Sequence, residues 1–224
     1  MRLVLLLALC LLGSCGRSLT PSEAAFARAI HGETIDTDRV RFLEGALVGS
    51  VTTTRPKRPR LACRERIFPE PTSDIVTVGP AAITLHNKVF YTRPYYLRDY
   101  MARYPEEMDL YAAMIFAHEM THVWQWQNRK VTGYSPLRAG GEHVTQADPY
   151  LFDLSTNARF LDYGYEQQSG IVEEYLCCRA LDPQAPRTAR LRAMLQDAFP
   201  LSDLRLPEDI SLPWDGVETR GICR

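Results

Sequence analysis

Residues 117–125 read Ala-His-Glu-Met-Thr-His-Val-Trp-Gln, and the rest of the chain can be interpreted outward from them. They lie in an apolar run for which a helix is predicted from Pro105 onward, with proline at its first position and acids in its first turn. Helical residues four apart lie one turn above each other, so His118 and His122 present two imidazoles in one direction. Glu119 is turned by about 100° from His118. Its carboxylate therefore lies beside the site that the histidines share.

This H-E-x-x-H spacing is typical of zinc peptidases. Zinc lowers the pKa of a bound water to about 7. A neighbouring carboxylate can accept a proton as that water attacks a carbonyl carbon. The spacing therefore predicts His118 and His122 as zinc ligands and Glu119 as the general base of a hydrolysis, most often of a peptide bond. The alternative is a chance match, and the presence of only five histidines in the chain weighs against it.

A catalytic zinc usually has three protein ligands and one open position. A third histidine six residues after His122 is excluded, because Asn128 holds that position. The remaining common solution is a glutamate on a later helix, and residues 163–180 have the composition of a second long helix. In order of preference, the candidates are Glu166, Glu173 and Glu174. Glu166 comes first because it lies next to Gly164, where the close approach of a second helix is easiest.

The segment from Val131 to Pro149 is rich in glycine and polar residues, so we expect a loop there. It contains His143, which could donate a hydrogen bond to the oxyanion formed during hydrolysis. The alternative is a surface histidine without a function. We therefore treat His143 as a further catalytic candidate.

The beginning of the chain has the features of an export signal. Residues 3–12 form an apolar run behind a short positive start, and the run is too short to cross a bilayer comfortably. The sequence Leu12-Gly13-Ser14-Cys15 resembles the lipobox of bacterial lipoproteins, in which the cysteine becomes the lipidated first residue. We expect residues 1–14 to be a removed signal peptide and Cys15 to anchor the protein on the periplasmic side of the bacterial cell envelope. An ordinary cleaved signal near a cysteine is the alternative.

Four cysteines lie beyond the leader and the anchor, namely Cys63, Cys177, Cys178 and Cys223. In an exported chain this even number predicts two disulfides. Adjacent cysteines seldom bond to each other, so we expect Cys177 and Cys178 each to reach one of the other two. A metal site is less favoured because no C-x-x-C pair exists.

The remaining composition is that of an ordinary globular protein, with a net charge of −1, and it gives no indication of a nucleic-acid partner or of an oligomeric state. Six basic residues lie between positions 55 and 66. They could contact an anionic component of the envelope, although a solvated loop is the simpler interpretation.

The other predicted elements give an α+β fold. Thr20-Pro21-Ser22-Glu23 is a capping box with proline at the first helical position, so a short helix follows it. Strands are predicted at 40–51, 74–78 and 82–91, the last with a turn near 86–88. A strand just before the metal helix could bind an extended substrate along an exposed edge, although a core strand fits equally well. A last helix is predicted at residues 189–198.

Five segments also carry a resemblance to a known group, and they lie at residues 19–23, 35–41, 82–85, 117–125 and 166–175. Together they resemble a group of bacterial zincin-like proteins, some of them labelled Vgr-related. These are similar to the peptidase-like domain found beside contractile injection and polymorphic-toxin systems. The resemblance covers most of the chain up to about residue 180.

The resemblance implies a zincin-like α+β fold with a small sheet, a metal-binding helix and a second helix that bears a ligand. It also implies Zn²⁺ as cofactor, with His118, His122 and Glu166 as ligands and Glu119 as base. The chain departs from the gluzincin pattern at Gly170, where those proteins carry an aspartate four residues after the ligand glutamate. That aspartate normally supports the first histidine.

We therefore expect one zincin-like domain over residues 15–224, with a core at about 19–180 and an irregular extension at 181–224. The expected function is that of a zinc metalloendopeptidase that cuts a protein or the peptide part of peptidoglycan. The alternative is a non-catalytic module that keeps the scaffold for binding or assembly in a secretion- or toxin-associated system. A third possibility is a domain that cleaves its own chain or a partner once.

Overall fold

The fold is taken from a computed structural model that describes residues 16–45, 52–201 and 203–224. The predicted export signal and lipid anchor at residues 1–15 lie outside the described residues. Seven α-helices are present in the described ranges: α1 Pro21–His31, α2 Cys63–Arg66, α3 Leu110–Gln127, α4 Arg129–Thr132, α5 Pro136–Thr145, α6 Tyr165–Leu181 and α7 Pro186–Leu195. The strands are β1 Arg41–Glu44, β2 Thr53–Pro56, β3 Ile75–Val78, β4 Ala82–Leu85, β5 Lys88–Tyr91, β6 Glu107–Asp109 and β7 Asp209–Ser211. The predicted α+β class is confirmed.

The largest sheet has three strands in the order β1-β5-β4. Strand β5 pairs in parallel with β1 and antiparallel with β4. The two antiparallel strands are joined at His86 and Asn87, so the turn predicted near residues 86–88 is confirmed, and His86 has a φ of 61°. Strand β4 forms one edge of this sheet. The side chains of Phe42, Val89 and Tyr91 are fully buried, so one face of the sheet packs against the core.

Helix α3 runs through the middle of the molecule. Most of its side chains are buried, including those of the H-E-x-x-H motif. A helix that is apolar on most sides belongs in the interior, and here it packs against α6, α1 and β4. Phe116 on α3 joins Phe26 of α1 and Phe42 of β1 in an aromatic cluster, with ring centroids 6.2 and 5.9 Å from that of Phe116. The H-E-x-x-H motif is thus carried by a helix that is buried over most of its length.

The start of this helix was predicted wrongly. Helix α3 begins at Leu110 and not at Pro105, because the Asp109 carboxylate accepts a hydrogen bond of 2.8 Å from the backbone N–H of Ala112. A carboxylate at the N-cap position satisfies an N–H group that has no partner within the helix. Asp109 is also the last residue of β6, which pairs in parallel with β7 from the end of the chain. Helix α1, by contrast, has the predicted capping box at Thr20 and Glu23.

The prediction of a loop at residues 131–149 is also wrong, since this range contains the end of α4 and all of α5. Helix α5 begins after Ser135, whose hydroxyl accepts a hydrogen bond from the Arg138 N–H, and Pro136 occupies its first position. Serine followed by proline is a helix-start signal that outweighs the two glycines further along. This helix carries His143.

The basic segment between residues 55 and 66 is not the solvated loop that was expected. Its last residues form α2, and its first residues belong to β2, which pairs antiparallel with β3. Arg58 makes two hydrogen bonds of 2.6 and 2.8 Å to the carboxylate of Asp148. Arg64 is buried, with 7% of its surface exposed. Arginine is rarely buried without a paired acid, and Arg64 has one in Glu173.

The two predicted disulfides are confirmed, as Cys63–Cys177 and Cys178–Cys223. The first fastens α2 to α6 and the second fastens the carboxy-terminal tail to the same helix. The helix predicted at residues 189–198 is present as α7, although it begins and ends three residues earlier, and the extension after residue 181 also supplies β7, which was not predicted. In the described ranges, no helix has both the length and the apolar content that a bilayer crossing requires.

Candidate metal centre

Three predicted ligand residues meet at one point between α3 and α6. The Nε2 atoms of His118 and His122 are 3.2 Å apart. The Oε2 atom of Glu166 lies 3.3 Å from each of these nitrogens. All three side chains are buried. The structure therefore brings together the two motif histidines and the first of the three glutamate candidates.

This triangle of atoms suits a zinc ion. Zinc prefers four tetrahedral positions with nitrogen and oxygen ligands at about 2.0–2.1 Å, which puts the ligand atoms roughly 3.3 Å from one another. Oε2 of Glu166 is buried and has no hydrogen-bond partner among the residues that the structure describes, although it faces two ring nitrogens. Two histidines and a glutamate are also a common donor set of catalytic zinc sites. The donor chemistry, the spacing and the unpartnered oxygen all fit a zinc ion at this point.

A hydrogen-bond relay fixes the tautomer of His122. Its Nδ1 lies 2.9 Å from Oε1 of Gln125. The Nε2 amide group of Gln125 donates to the carbonyl of Tyr165 and to Oε1 of Gln168, both at 3.0 Å. Because the amide nitrogen already has two acceptors, its oxygen must face the histidine and accept from Nδ1–H. Nε2 of His122 is then left as the atom with a free lone pair, as a metal ligand requires.

His118 is supported from the other side by Glu173. Its Nδ1 lies 3.1 Å from Oε1 of Glu173. Glu166 and Glu173 are seven residues apart and so share one face of α6. Gly170 lies between them, and a Cβ atom there would be only 2.7 Å from Nη1 of Arg64. The aspartate that gluzincins carry at this position could not be accommodated without moving that arginine. Glu173 takes over the support of His118 from the next turn.

Glu166 is held at the start of α6 by a residue that the sequence did not single out. The carboxylate of Glu142, on α5, accepts hydrogen bonds from the backbone N–H groups of Tyr165 and Glu166, at 2.8 and 3.0 Å. Gly164 was expected to permit a close approach to the metal helix. A Cβ atom at Gly164 would instead lie 3.0 Å from Oε1 of Glu142. The glycine therefore makes room for the carboxylate that caps the ligand helix.

Glu119 lies beside the three ligands and touches the sheet. It is buried, with 5% of its surface exposed. Its Oε2 accepts a hydrogen bond of 2.7 Å from the hydroxyl of Thr84, on the edge strand β4. The predicted base is thus oriented by a contact with the edge strand β4.

His143 comes closer to the centre than a surface histidine would. Its Nε2 lies 3.0 Å from Oε1 of Glu166, while its side chain remains 45% exposed. Two tyrosines that sequence reasoning missed line the same region. The ring of Tyr150 lies 5.8 Å from that of His118 and 5.7 Å from that of His143, and the ring of Tyr134 lies 6.4 Å from that of His122. No spacing pattern in the sequence indicates these neighbours, because loops bring them together.

The charges around the centre favour a cation. Burial by itself would raise the pKa of Glu166, but His122, His118 and His143 hold it well below its ordinary value. Burial would likewise lower the pKa of His118, yet Glu173 and Glu166 keep it well above its usual range. The carboxylates therefore favour a positive charge between them, which either a proton on the imidazoles or a divalent ion that replaces it can supply.

Glu174 and the cysteines belong to a separate structural region. The Glu174 carboxylate accepts hydrogen bonds from the N–H groups of Cys63 and Arg64 and from Nε of Arg187, at 3.0, 3.2 and 2.7 Å. The third glutamate candidate is therefore not near the two motif histidines. The sulfur atoms of Cys63, Cys178 and Cys223 also cluster, but all of them are engaged in disulfides.

Comparisons with known proteins support the Vgr-related part of the resemblance. No protein-family model matches the sequence. A stretch of 90 residues, 38% of the chain, is 32% identical to the type VI secretion system spike protein VgrG2b of Pseudomonas aeruginosa. The match spans only 8% of the length of that protein.

A solved structure extends the likeness to the fold. The effector domain of Pseudomonas aeruginosa VgrG2b is similar with a TM-score of 0.53 and 22% sequence identity, over 84% of this chain and 88% of that domain. At this level of identity the likeness concerns the fold. The chain is therefore similar in architecture to an effector domain of a secretion-system spike protein.

Proposed function

We propose that the protein is a zinc-dependent peptidase with a zincin-like fold. The observation that carries this proposal is the convergence of Nε2 of His118, Nε2 of His122 and the unpartnered Oε2 of Glu166, with Glu119 beside them. Zinc, when bound by these residues, supplies an activated water and polarises the carbonyl of the substrate. The remaining chemistry falls to the side chains of the chain itself.

Glu119 acts as the general base. Thr84 donates to its Oε2 and so leaves Oε1 to accept the proton of the attacking water. The same carboxyl group can then give that proton to the leaving amine, as general acid–base catalysis requires. His143 is the proposed donor to the oxyanion, because it is the partly exposed imidazole nearest to the ligand set.

The substrate is an extended protein or peptide segment. Strand β4 is an edge strand, and on it Ile83 and Leu85 are 39% and 43% exposed. An extended chain can add to such an edge through main-chain hydrogen bonds. Thr84 lies between these two residues and contacts the base, so a segment paired with β4 would run past Glu119. The peptide part of peptidoglycan remains a candidate substrate.

A role in a secretion- or toxin-associated system is the second candidate, without catalysis. The comparisons favour this role more directly than they favour hydrolysis, because the similar protein is named as a spike protein and the similar domain as an effector. In that case the scaffold serves binding or assembly. The two candidates differ in whether Glu119 acts as a catalytic base.

The test is metal analysis and proteolysis of the purified mature protein and of its Glu119→Gln variant. We expect one zinc per chain in both proteins, with cleavage of an unfolded protein substrate by the wild type alone and no cleavage after chelation. Absence of zinc from the wild type would overturn the peptidase proposal. Zinc without cleavage of protein, peptidoglycan peptide or its own chain would favour the non-catalytic module. A single cut in its own chain without turnover would indicate self-processing.

A further inference from the structure

Arg64 reaches the candidate metal centre through one intermediate residue. Its Nη1 donates a hydrogen bond of 2.9 Å to Oε2 of Glu173, while Oε1 of the same carboxylate faces Nδ1 of His118. Its Nη2 donates to the backbone carbonyl of Tyr150 at 2.6 Å. The guanidinium also lies over the ring of Phe152, 5.5 Å from its centroid. These contacts hold both the arginine and the carboxylate in one orientation.

The short helix that carries Arg64 does little by itself to hold the side chain beside Glu173. Helix α2 has four residues, which is too short to be stable by itself. It is fastened to α6 at Cys63, which is bonded to Cys177 although the two cysteines are 114 residues apart in the sequence. The backbone N–H groups of Cys63 and Arg64 donate hydrogen bonds to the carboxylate of Glu174, which also lies on α6. The disulfide and the ion pair with Glu173 thus involve consecutive residues of α2.

We propose that Arg64 is a positioning residue for the metal centre, and that the Cys63–Cys177 disulfide holds it in place, so that full zinc affinity requires the oxidised chain. The inference rests on the proposed zinc site. Arg64 fixes Oε2 of Glu173, and this keeps Oε1 at 3.1 Å from Nδ1 of His118. Loss of a partner that orients a metal-binding histidine weakens metal affinity by about 10- to 100-fold. Without the disulfide, α2 loses its covalent attachment and Glu173 loses its fixed orientation.

The redox step is an ordinary thiol–disulfide exchange. The thiols of Cys63 and Cys177 lose two electrons and two protons as their sulfur–sulfur bond forms. A disulfide of an oxidant protein or small molecule accepts them and becomes two thiols. Thiols stay reduced in the cytosol and oxidise in exported proteins. The metal centre would therefore gain its full affinity after export.

The test measures the zinc dissociation constant by competition with a chromophoric chelator. Chemical reduction is unsuitable, because the freed thiols are themselves zinc ligands. The comparison instead uses the double variants Cys63→Ala/Cys177→Ala and Cys178→Ala/Cys223→Ala. Each removes one buried disulfide from α6 at adjacent positions, but only the first breaks the covalent bond between α6 and the segment that carries Arg64, while the second leaves that bond intact and frees the tail, which contacts α2 through Arg66. We expect the first variant to bind zinc at least about tenfold more weakly and the second to stay within about twofold of the wild type.

Single variants of Arg64 keep both disulfides and decide the question if the first double variant does not fold. Arg64→Ala should weaken zinc binding about as much as loss of the disulfide does, and Arg64→Lys should restore part of the affinity. Combining Arg64→Ala with Cys63→Ala/Cys177→Ala should cause little further loss of zinc affinity, because both changes act through the contact between Arg64 and Glu173.

Unchanged affinity in Arg64→Ala, or equal losses in the two disulfide variants, would overturn this inference and leave the zinc site intact. A wild-type protein that binds no zinc would overturn both proposals together.

Discussion

Thr84 and Glu119 are joined by a hydrogen bond of 2.7 Å that links the edge strand β4 to helix α3. The threonine is buried and donates its only hydroxyl proton to Oε2 of the glutamate. A base whose carboxylate is held in this way cannot rotate freely between the metal centre and the sheet. The same contact also connects the place where an extended chain could bind with the place where its bond would be broken.

Thr84→Val should slow hydrolysis by about tenfold and leave zinc content unchanged. Valine has nearly the same shape but cannot donate, so Glu119 keeps its position less well, although it remains available as a base. The loss should be smaller than the 10²- to 10⁴-fold contribution of a general base. Thr84→Ser is the matched control, because it retains the hydroxyl and should keep most of the rate. Equal rates in the valine and serine variants would show that the hydrogen bond does not orient the base.

Alanine substitutions in α6 should affect zinc binding in a fixed order. Glu166→Ala removes a ligand atom and should abolish stoichiometric binding, whereas Glu173→Ala should weaken binding by about 10- to 100-fold. Glu174→Ala should keep one zinc per chain and lower the stability of the fold, because buried N–H groups of α2 lose their acceptor. Zinc titration and thermal melting of the three variants would check this. A larger loss of affinity in Glu173→Ala than in Glu166→Ala would show that the ligand is assigned to the wrong carboxylate.

His31 is a buried histidine outside the metal centre. It has no exposed surface, its Nδ1 lies 3.1 Å from the Ala27 carbonyl, and its Nε2 lies 3.1 Å from the Thr121 hydroxyl. Burial lowers the pKa of His31 to about 4, despite the hydrogen bond to Ala27. The neutral ring donates from Nδ1–H to the Ala27 carbonyl, and its Nε2 faces the Thr121 hydroxyl, whose proton also has the Ala117 carbonyl as an acceptor at 2.8 Å. The ring of Phe199 packs 4.8 Å away and keeps water out.

The lowered pKa of His31 predicts a loss of stability in mild acid. The unfolded chain takes up this proton near pH 6.5, whereas the folded chain does so only near pH 4. The free energy of unfolding therefore decreases as pH falls from 6.5 to 4, by about 3 kcal/mol in total. Urea unfolding of the metal-free protein between pH 7.5 and 4 should show this slope, and His31→Gln should lose that part of it. The same pH dependence in both proteins would mean that His31 does not stay neutral in the fold.

Cys15→Ser should move the mature protein from the membrane fraction to the soluble fraction and remove the mass of the acyl groups. The prediction comes from the lipobox-like sequence at residues 12–15 and from the stable attachment that several acyl chains provide. Cell fractionation with mass spectrometry of the amino-terminal peptide would test it. Unchanged partitioning would argue for an ordinary cleaved signal.

The convergence of His118, His122 and Glu166 could be predicted because it depends on helical spacing. His118 and His122 are four residues apart, and Glu166 begins a helix whose composition is evident. The disulfides followed from the number of cysteines and from the fact that adjacent ones seldom pair. Each of these features needs only local geometry or counting.

The contacts that orient the site could not be predicted, because they are made by residues far apart in the sequence. Glu142 caps α6 from another helix, Thr84 reaches Glu119 from the sheet, and Arg64 reaches Glu173 across 109 positions. Two local signals for the start of a helix were present in the sequence, but other signals were given more weight in the prediction. Ser135 with Pro136 marks the start of α5, and Asp109 is a better cap for α3 than Pro105 is a first residue.

The two disulfides enclose nearly all of the later chain in covalent loops. One loop runs from Cys63 to Cys177, and the next starts at the adjacent Cys178 and closes at Cys223. A single broken peptide bond inside either loop leaves both pieces joined through sulfur. Nicked molecules should therefore keep the mass of the whole chain until they are reduced. Inside either loop the protein can be cut once without shedding a fragment, and the cysteines of α6 keep the two pieces bonded to each other.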